Sequence, residues 1–261
     1  MLKPDIDLQK SVEPIIRKAG DILLSYWQKP IIRSQKKDHG FVTEADIASE
    51  EYLIEALHQV LPEASFFAEE SGKKGNTADG YCWVIDPLDG TTNFAFGIPH
   101  FCISIALTYF NEPIFGMIFL PLFDELFYAQ KGKGSFLNQK KIAIAQDRPL
   151  DKTLLLVGFP YKKGKTFLRV LENLNQISTR TYAFRHLGAI AIDQAYIACG
   201  RADGLFFEDL AWWDVAAGIL LIKEAGGVVS TYEGKDIRPE YHSYVAANEG
   251  LYQHLFSLLQ K

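Results

Sequence analysis

Residues 83–94 read WVIDPLDGTTNF, an apolar run that stops at Asp86 and continues through Pro87, Asp89, Gly90, Thr91, Thr92 and Asn93. Apolar runs that end on acidic residues are how buried strands look when their ends carry polar chemistry. Asp-Pro favours turn initiation, and Asp-Gly supplies a residue tolerant of positive φ, so a turn alone accounts for the stretch. A chemical reading competes with it. Asp86 and Asp89 can point into one pocket across a proline-stiffened bend, and the Leu88 carbonyl can join them, an oxygen set that suits a hard cation such as Mg²⁺. The following GTTN offers backbone N–H groups at a helix start, with no Cβ at Gly90 to obstruct a phosphate. Thr91 and Thr92 add hydroxyls.

Other acidic positions bear on the choice. Glu69 and Glu70 end the run ASFFAEES, where adjacent carboxylates repel unless solvated or metal-bound. Asp214 opens the otherwise apolar helix of WWDVAAG, and an N-cap would explain it. Asp46 lies in the first turn of another predicted helix in VTEAD, where the helix dipole is sufficient reason. Each has an ordinary explanation. That all of them fall at a strand end or helix start favours a shared metal and phosphate site, where two cations could clamp the attacking and leaving oxygens of an in-line displacement.

The 261 residues are 48% hydrophobic and 23% charged, enough for one large domain or two tightly joined halves. A net charge of −5 without a run of Lys and Arg disfavours a nucleic-acid partner. Cys82, Cys102 and Cys199 are odd in number and widely spaced, which suits reduced thiols in a cytoplasmic protein. The opening MLKPDIDLQK lacks the apolar centre of a signal peptide. The most apolar region, 101–127, is interrupted by polar residues and prolines, so buried strands are expected and no membrane span.

Helical spacing covers Leu8 to Trp27, with Pro14 marking a kink or the true start. RSQKKDHG reads as a polar basic loop, and the stretch after it as a helix capped by Thr43 and ending before Pro62. Four short strands from Cys102 to Asn138 suggest a meander, with KGKGSF (131–136) a hairpin turn, not a phosphate loop. A polar break at 147–150 divides the chain into halves of about 1–148 and 149–261. In the second half strands and helices alternate, ending in the helix WDVAAGILLIKEAGG and the strand VVST. The fold class is α+β, with helices covering sheets in layers.

WVIDPLDGTTNF, AEES upstream and WWDVAAGILLIKEAGG downstream together resemble the signatures of the inositol monophosphatase family, from about residue 42 to about 230. The resemblance implies a layered α/β/α/β/α sandwich of the sugar-phosphatase type and a Mg²⁺-dependent, lithium-sensitive phosphomonoesterase. It implies two to three Mg²⁺ ions per site. Glu69, Asp86 and the Leu88 carbonyl would hold the first, Asp86, Asp89 and Asp214 the second, and a weaker third would lie near Glu69. Glu69 and Thr91 would position the attacking water, with Asp46 holding Thr91. Gly90, Thr91 and Thr92 would cradle the phosphate. Gly188, Ala189 and Ile190, in HLGAIA, would line the alcohol side, and Lys36 would reach over the site from its loop. A homodimer is implied as well. Inositol 1-phosphate leads the substrates, ahead of fructose-1,6-bisphosphate, histidinol phosphate and a 3′-phosphoadenosine nucleotide; the DGTTN form favours the monophosphatase branch over the nucleotide one. A regulatory interaction role on the same fold is the alternative of another class.

One position departs from the pattern. Inositol-specific members carry a glutamate four residues after the aspartate of their AD element. Here that position is Phe207, and Glu208 follows. A one-residue slip on a strand turns a side chain to the opposite face. Either a bulge returns Glu208 to the pocket, or the hydroxyl contact is missing and Phe207 forms the wall, with Asp209 as another contact. His100 and His186 lack ligand spacing and read as structural. Trp212 and Trp213 read as packing or bordering residues.

Overall fold

Strand alternation sorts the apolar side chains of this chain into three cores, and the cores set the layers. The computed structural model describes residues 6–29, 33–35 and 41–259. Its helices are α1 (Leu8–Tyr26), α2 (Glu44–Val60), α3 (Thr91–Ala95), α4 (Lys165–Ser178), α5 (Ile190–Ala198), α6 (Trp212–Glu224) and α7 (Glu249–Leu259). An eight-stranded sheet runs in the order Lys140–Ile142, Gly134–Leu137, Glu125–Gln130, Glu112–Leu120, Cys102–Tyr109, Tyr81–Asp89, Ser65–Ala68 and Gly72–Lys74. A five-stranded sheet runs Ala183–Arg185, Leu154–Val157, Gly204–Glu208, Ser243–Ala247 and Val228–Ser230.

In the larger sheet Trp83, Ile85, Ile103, Ile105, Phe115 and Met117 face α1 and α2. Their neighbours Cys82, Val84, Cys102, Ala106 and Ile118 face α5 and α6. Those two helices also pack on Leu156, Leu205, Tyr244 and Ala246 of the smaller sheet. The opposite side of that sheet, Leu155, Val157, Phe206, Val245 and Ala247, is covered by α4 and α7. The order of layers is therefore α/β/α/β/α. A central helix layer has no solvent side, which is why α6 is apolar nearly all round. Gly116 lets the sheet approach it closely: a Cβ there would lie 2.9 Å from the Ala217 carbonyl oxygen.

Two readings change in detail. Helix α1 starts at Leu8, capped by Asp7, and Pro14 lies inside it on an exposed face. Arg33–Gln35, read as loop, is a short strand paired antiparallel with Phe41–Thr43. Backbone pairing with a neighbour sets that strand, and local polarity gives no sign of it. Lys36 lies outside the described residues. Among the described residues no helix is long and apolar enough to cross a membrane.

Candidate functional site

The acidic residues meet because two strands are parallel. Ser65–Ala68 pairs with Tyr81–Asp89 so that Ala68 stands opposite Ile85, and the Glu69 N–H continues the ladder to the Ile85 carbonyl at 3.1 Å. Glu69 and Asp86 thus leave neighbouring strands at the same, C-terminal end, where open sheets place their ligand crevices. The expected bend is a bulge at that end: Asp86 pairs with Ser104 and Asp89 with Cys102. Asp86 Oδ1 accepts the Leu88 N–H at 3.0 Å, so turn chemistry and strand pairing coexist in the same residues. Asp214 enters from the first turn of α6, where its Oδ2 also accepts the Ala211 N–H at 2.7 Å.

Glu69, Asp86, Leu88, Asp89 and Asp214 line one cleft of about 540 Å³, together with Gly90, Thr91, Thr92, Gly188, Ala189 and Ile190. Burial, then the neighbouring Glu69, Asp89 and Asp214, push the Asp86 carboxyl well above the usual carboxylate range. Burial likewise lifts Asp89 to about 7, although the Ala191 N–H at 2.6 Å and the Cys102 thiol at 3.7 Å favour its charge. Acids this crowded and buried ask for positive charge, and hard oxygen donors of this kind suit Mg²⁺. Among the described residues no three His, Cys, Asp or Glu side chains are drawn together into a ready coordination shell; the carboxylates stand around the cleft. The donor chemistry fits a divalent cation.

One face of α2 holds the site in place. Thr91 Oγ1 lies 3.1 Å from Asp46 Oδ1 and 2.9 Å from the Leu88 carbonyl. Asp46 Oδ2 takes the Thr43 N–H at 2.9 Å and the Thr43 hydroxyl at 2.5 Å, while burial raises its carboxyl to about 6. Ser49 donates to the Pro87 carbonyl at 3.1 Å, and the Glu50 carboxylate accepts the N–H groups of Glu70 and Ser71, both at 2.8 Å. Positions 46, 49 and 50 share a helix face, so three parts of the cleft are tied to a single rigid element. Ser49 and Glu50 escaped the sequence reading, although their spacing from Asp46 was available.

Gly90 has φ 87°, and a Cβ there would lie 2.9 Å from the His100 carbonyl oxygen, so glycine is required twice over. Asn93 donates to the carbonyls of His100 and Leu187 at 2.8 and 2.9 Å, which binds α3 to the segment carrying Gly188. Gln194, also missed, donates to the Asp214 carbonyl at 2.7 Å and fixes the start of α6.

Glu208 does not reach the cleft. The strand Gly204–Glu208 pairs without a bulge, with Phe207 opposite Tyr244 and Glu208 opposite Ser243. Alternation turns Glu208 outward with Phe206, where Arg169 Nε holds both carboxylate oxygens at 2.7 and 2.9 Å and Nη2 adds a third bond. Phe207 and Asp209 line the cleft in its place, joined by Phe159, Tyr161, Lys162, His242 and Trp213. His186 borders it too, its Nδ1 3.0 Å from the Val157 carbonyl oxygen. Tyr161 and Lys162 come from a loop with no motif of its own, and only the fold brings them over Thr92, whose hydroxyl is 3.4 Å from that of Tyr161.

A profile of the inositol monophosphatase family matches residues 7–261. The Nus factor SuhB of Salmonella typhimurium is 39% identical over 220 residues, 84% of this chain and 82% of that protein. The inositol-1-monophosphatase of Synechocystis sp. is 37% identical over 242 residues, 92% of this chain and 84% of its own. The crystal structure of the extragenic suppressor protein suhB from Bartonella henselae superposes with a TM-score of 0.92 at 32% identity, covering 98% of this chain and 99% of the other.

Proposed function

This chain belongs to the inositol monophosphatase family, and on that premise we propose that it is a Mg²⁺-dependent phosphomonoesterase of small polyol or sugar phosphates. Inositol 1-phosphate is the first ester to try. The observation that carries the reading is the convergence of Glu69, Asp86, Asp89 and Asp214 on one cleft, beside the backbone and hydroxyls of Gly90, Thr91 and Thr92. Two to three cations, held by those four carboxylates and the Leu88 carbonyl, would supply charge to the phosphoryl group and leaving oxygen and make water more acidic.

The chain's own groups do the rest. The single proton of the Thr91 hydroxyl has two acceptors within reach, Asp46 and the Leu88 carbonyl. Donated to Asp46, it leaves an oxygen lone pair to receive an attacking water. Three donors directed at Asp46 keep that carboxylate an acceptor in spite of its burial. Glu69, which lines the same cleft, is the group that takes the water's proton. The backbone N–H groups of Gly90 and Thr91 and the Thr92 hydroxyl orient the phosphate, and Gly188, Ala189 and Ile190 border the alcohol. Attack by water is direct, with no phosphorylated side chain; trapping such an intermediate would overturn that step.

The test is phosphate release from inositol 1-phosphate, fructose-1,6-bisphosphate, histidinol phosphate and a 3′-phosphoadenosine nucleotide, with Mg²⁺, with chelator and with added Li⁺. Release that needs Mg²⁺ and falls with Li⁺ supports the reading, and release that survives chelation rejects it. A second reading, a regulatory role on the same fold, rests on the name Nus factor carried by similar proteins. A homodimer belongs to the proposal as well, to be checked by sedimentation.

A further inference from the structure

We propose that the alcohol side of the cleft is an aromatic slot, and that it selects phosphate esters whose alcohol carries a flat aromatic ring. This rests on the phosphomonoesterase reading above and replaces its polyol preference with an aromatic one. Four rings, Phe159, Tyr161, Phe207 and Trp213, border the same cleft as Gly90 and Thr92.

Phe207 is seated there by the backbone. It shares the inner face of its strand with Leu205, while Phe206 and Glu208 point the other way. Its ring lies on Gly158: a Cβ at that glycine would fall 1.2 Å from Phe207 Cε2, so the ring occupies the space of a side chain that is not there. Arg169 keeps the adjacent carboxylate on the outer side, bonded through both oxygens and only 1% exposed as a residue, so Glu208 does not swing in to replace the ring. Trp213 is braced edge-on by Phe67 at 5.2 Å, and Phe159 edge-on by His186 at 5.3 Å. Phe207, Trp213 and Phe159 are each packed against a neighbour.

An alcohol entering this slot meets aromatic rings where a polyol hydroxyl would need a partner. A hydroxyl placed against Phe207 loses its water and gains no hydrogen bond, whereas a planar ring stacks on it. An apolar pocket rejects an added hydroxyl by about 10²-fold. Asp209, held at φ 65° with its N–H on the His242 carbonyl at 2.8 Å, places a polar group at the edge of the slot.

The experiment compares kcat/KM for benzyl phosphate, cyclohexylmethyl phosphate and inositol 1-phosphate, all esters of alkyl alcohols, so that leaving-group reactivity does not decide the result. Benzyl phosphate should exceed inositol 1-phosphate by at least about tenfold and cyclohexylmethyl phosphate by about two- to tenfold. Phe207→Leu, which keeps the volume apolar, should bring the benzyl to cyclohexylmethyl ratio toward one, and Trp213→Leu should lower it as well. Phe207→Glu should move preference toward inositol 1-phosphate. A wild-type ratio near one, or ratios unmoved in all three variants with unchanged thermal melts, overturns the slot. If no ester is hydrolysed the phosphomonoesterase reading fails, and calorimetry then judges the slot by itself. Benzylphosphonate binding at least tenfold tighter than inorganic phosphate supports it, and equal affinities overturn it.

Discussion

The carboxylate of Glu50 accepts the backbone N–H of Ser71 at 2.8 Å, and with its other oxygen that of Glu70. The turn that follows Glu69 is therefore fastened to the same face of α2 that carries Asp46. Charge-assisted bonds to backbone N–H groups hold a loop at about 1.5–3 kcal/mol each. Glu50→Gln swaps one acceptor for an amide donor aimed at an N–H. We expect a several-fold rise in the Mg²⁺ concentration for half-maximal phosphate release and a fall of about tenfold in kcat, since small misplacements of reacting groups are expensive. Unchanged Mg²⁺ dependence would show that the turn holds Glu69 without Glu50.

Thr91 and Asp46 share a hydrogen bond at 3.1 Å, and in the proposed mechanism they act as a pair. Asp46→Asn and Thr91→Val should each lower kcat by about 10²-fold, with KM changed far less, because both remove orientation of the attacking water and leave the phosphate contacts in place. The double variant should be little worse than either single one. Additive losses would mean that the two residues do not work through one hydrogen bond.

The charge of the cleft gives a pH signature to the metal-free protein. Burial and crowding raise Asp86 well above the ordinary 3.8, Asp89 to about 7 and Asp46 to about 6. Such acids bind protons more tightly folded than unfolded, so the stability they contribute is complete below pH 4 and is lost as the pH climbs through 6 and 7. The Tm of chelated protein should fall between pH 5 and 8, the fall should be shallower in Asp89→Asn, and added Mg²⁺ should raise Tm more at pH 8 than at pH 5. A metal-free Tm that rises over this interval contradicts the crowding.

Arg169 holds Glu208 on the face of its strand away from the cleft. Glu208→Gln should leave kcat/KM for every ester within about twofold, while Arg169→Met, which strands a buried carboxylate, should destabilise the fold. Removing one partner of a buried pair costs about 3–5 kcal/mol. Arg169 is more than half exposed, so water offsets part of that, and a loss of about 2 kcal/mol is expected. A tenfold drop in activity for Glu208→Gln would place its carboxylate at the substrate after all.

Much of this could be read along the chain, because it is local. Apolar alternation marked the strands of the meander, Thr43 marked the start of α2, and WVIDPLDGTTNF carried both turn and ligand chemistry in one stretch. The slip from Phe207 to Glu208 was legible as a question, since period-two alternation puts neighbours on opposite faces. Pairing without a bulge answered it. What could not be read depends on contacts between distant segments. Glu50 bonds residues 20 and 21 positions away, Asp89 reaches Ala191 across 102, and Gln194 reaches Asp214 across 20. Tyr161 and Lys162 belong to a loop whose place over Thr92 is decided by how the two sheets stack on α5 and α6.

The central claim is that four carboxylates gather cations for hydrolysis of a phosphate ester. Phosphate release from inositol 1-phosphate and benzyl phosphate, titrated with Mg²⁺ in wild type, Asp86→Asn and Asp214→Asn, tests it most directly. The account predicts saturable Mg²⁺ dependence in the wild type, complete loss on chelation, and loss of at least 10²-fold in both variants with the fold intact. Release that persists in chelator, or in either variant at wild-type rate, would contradict it.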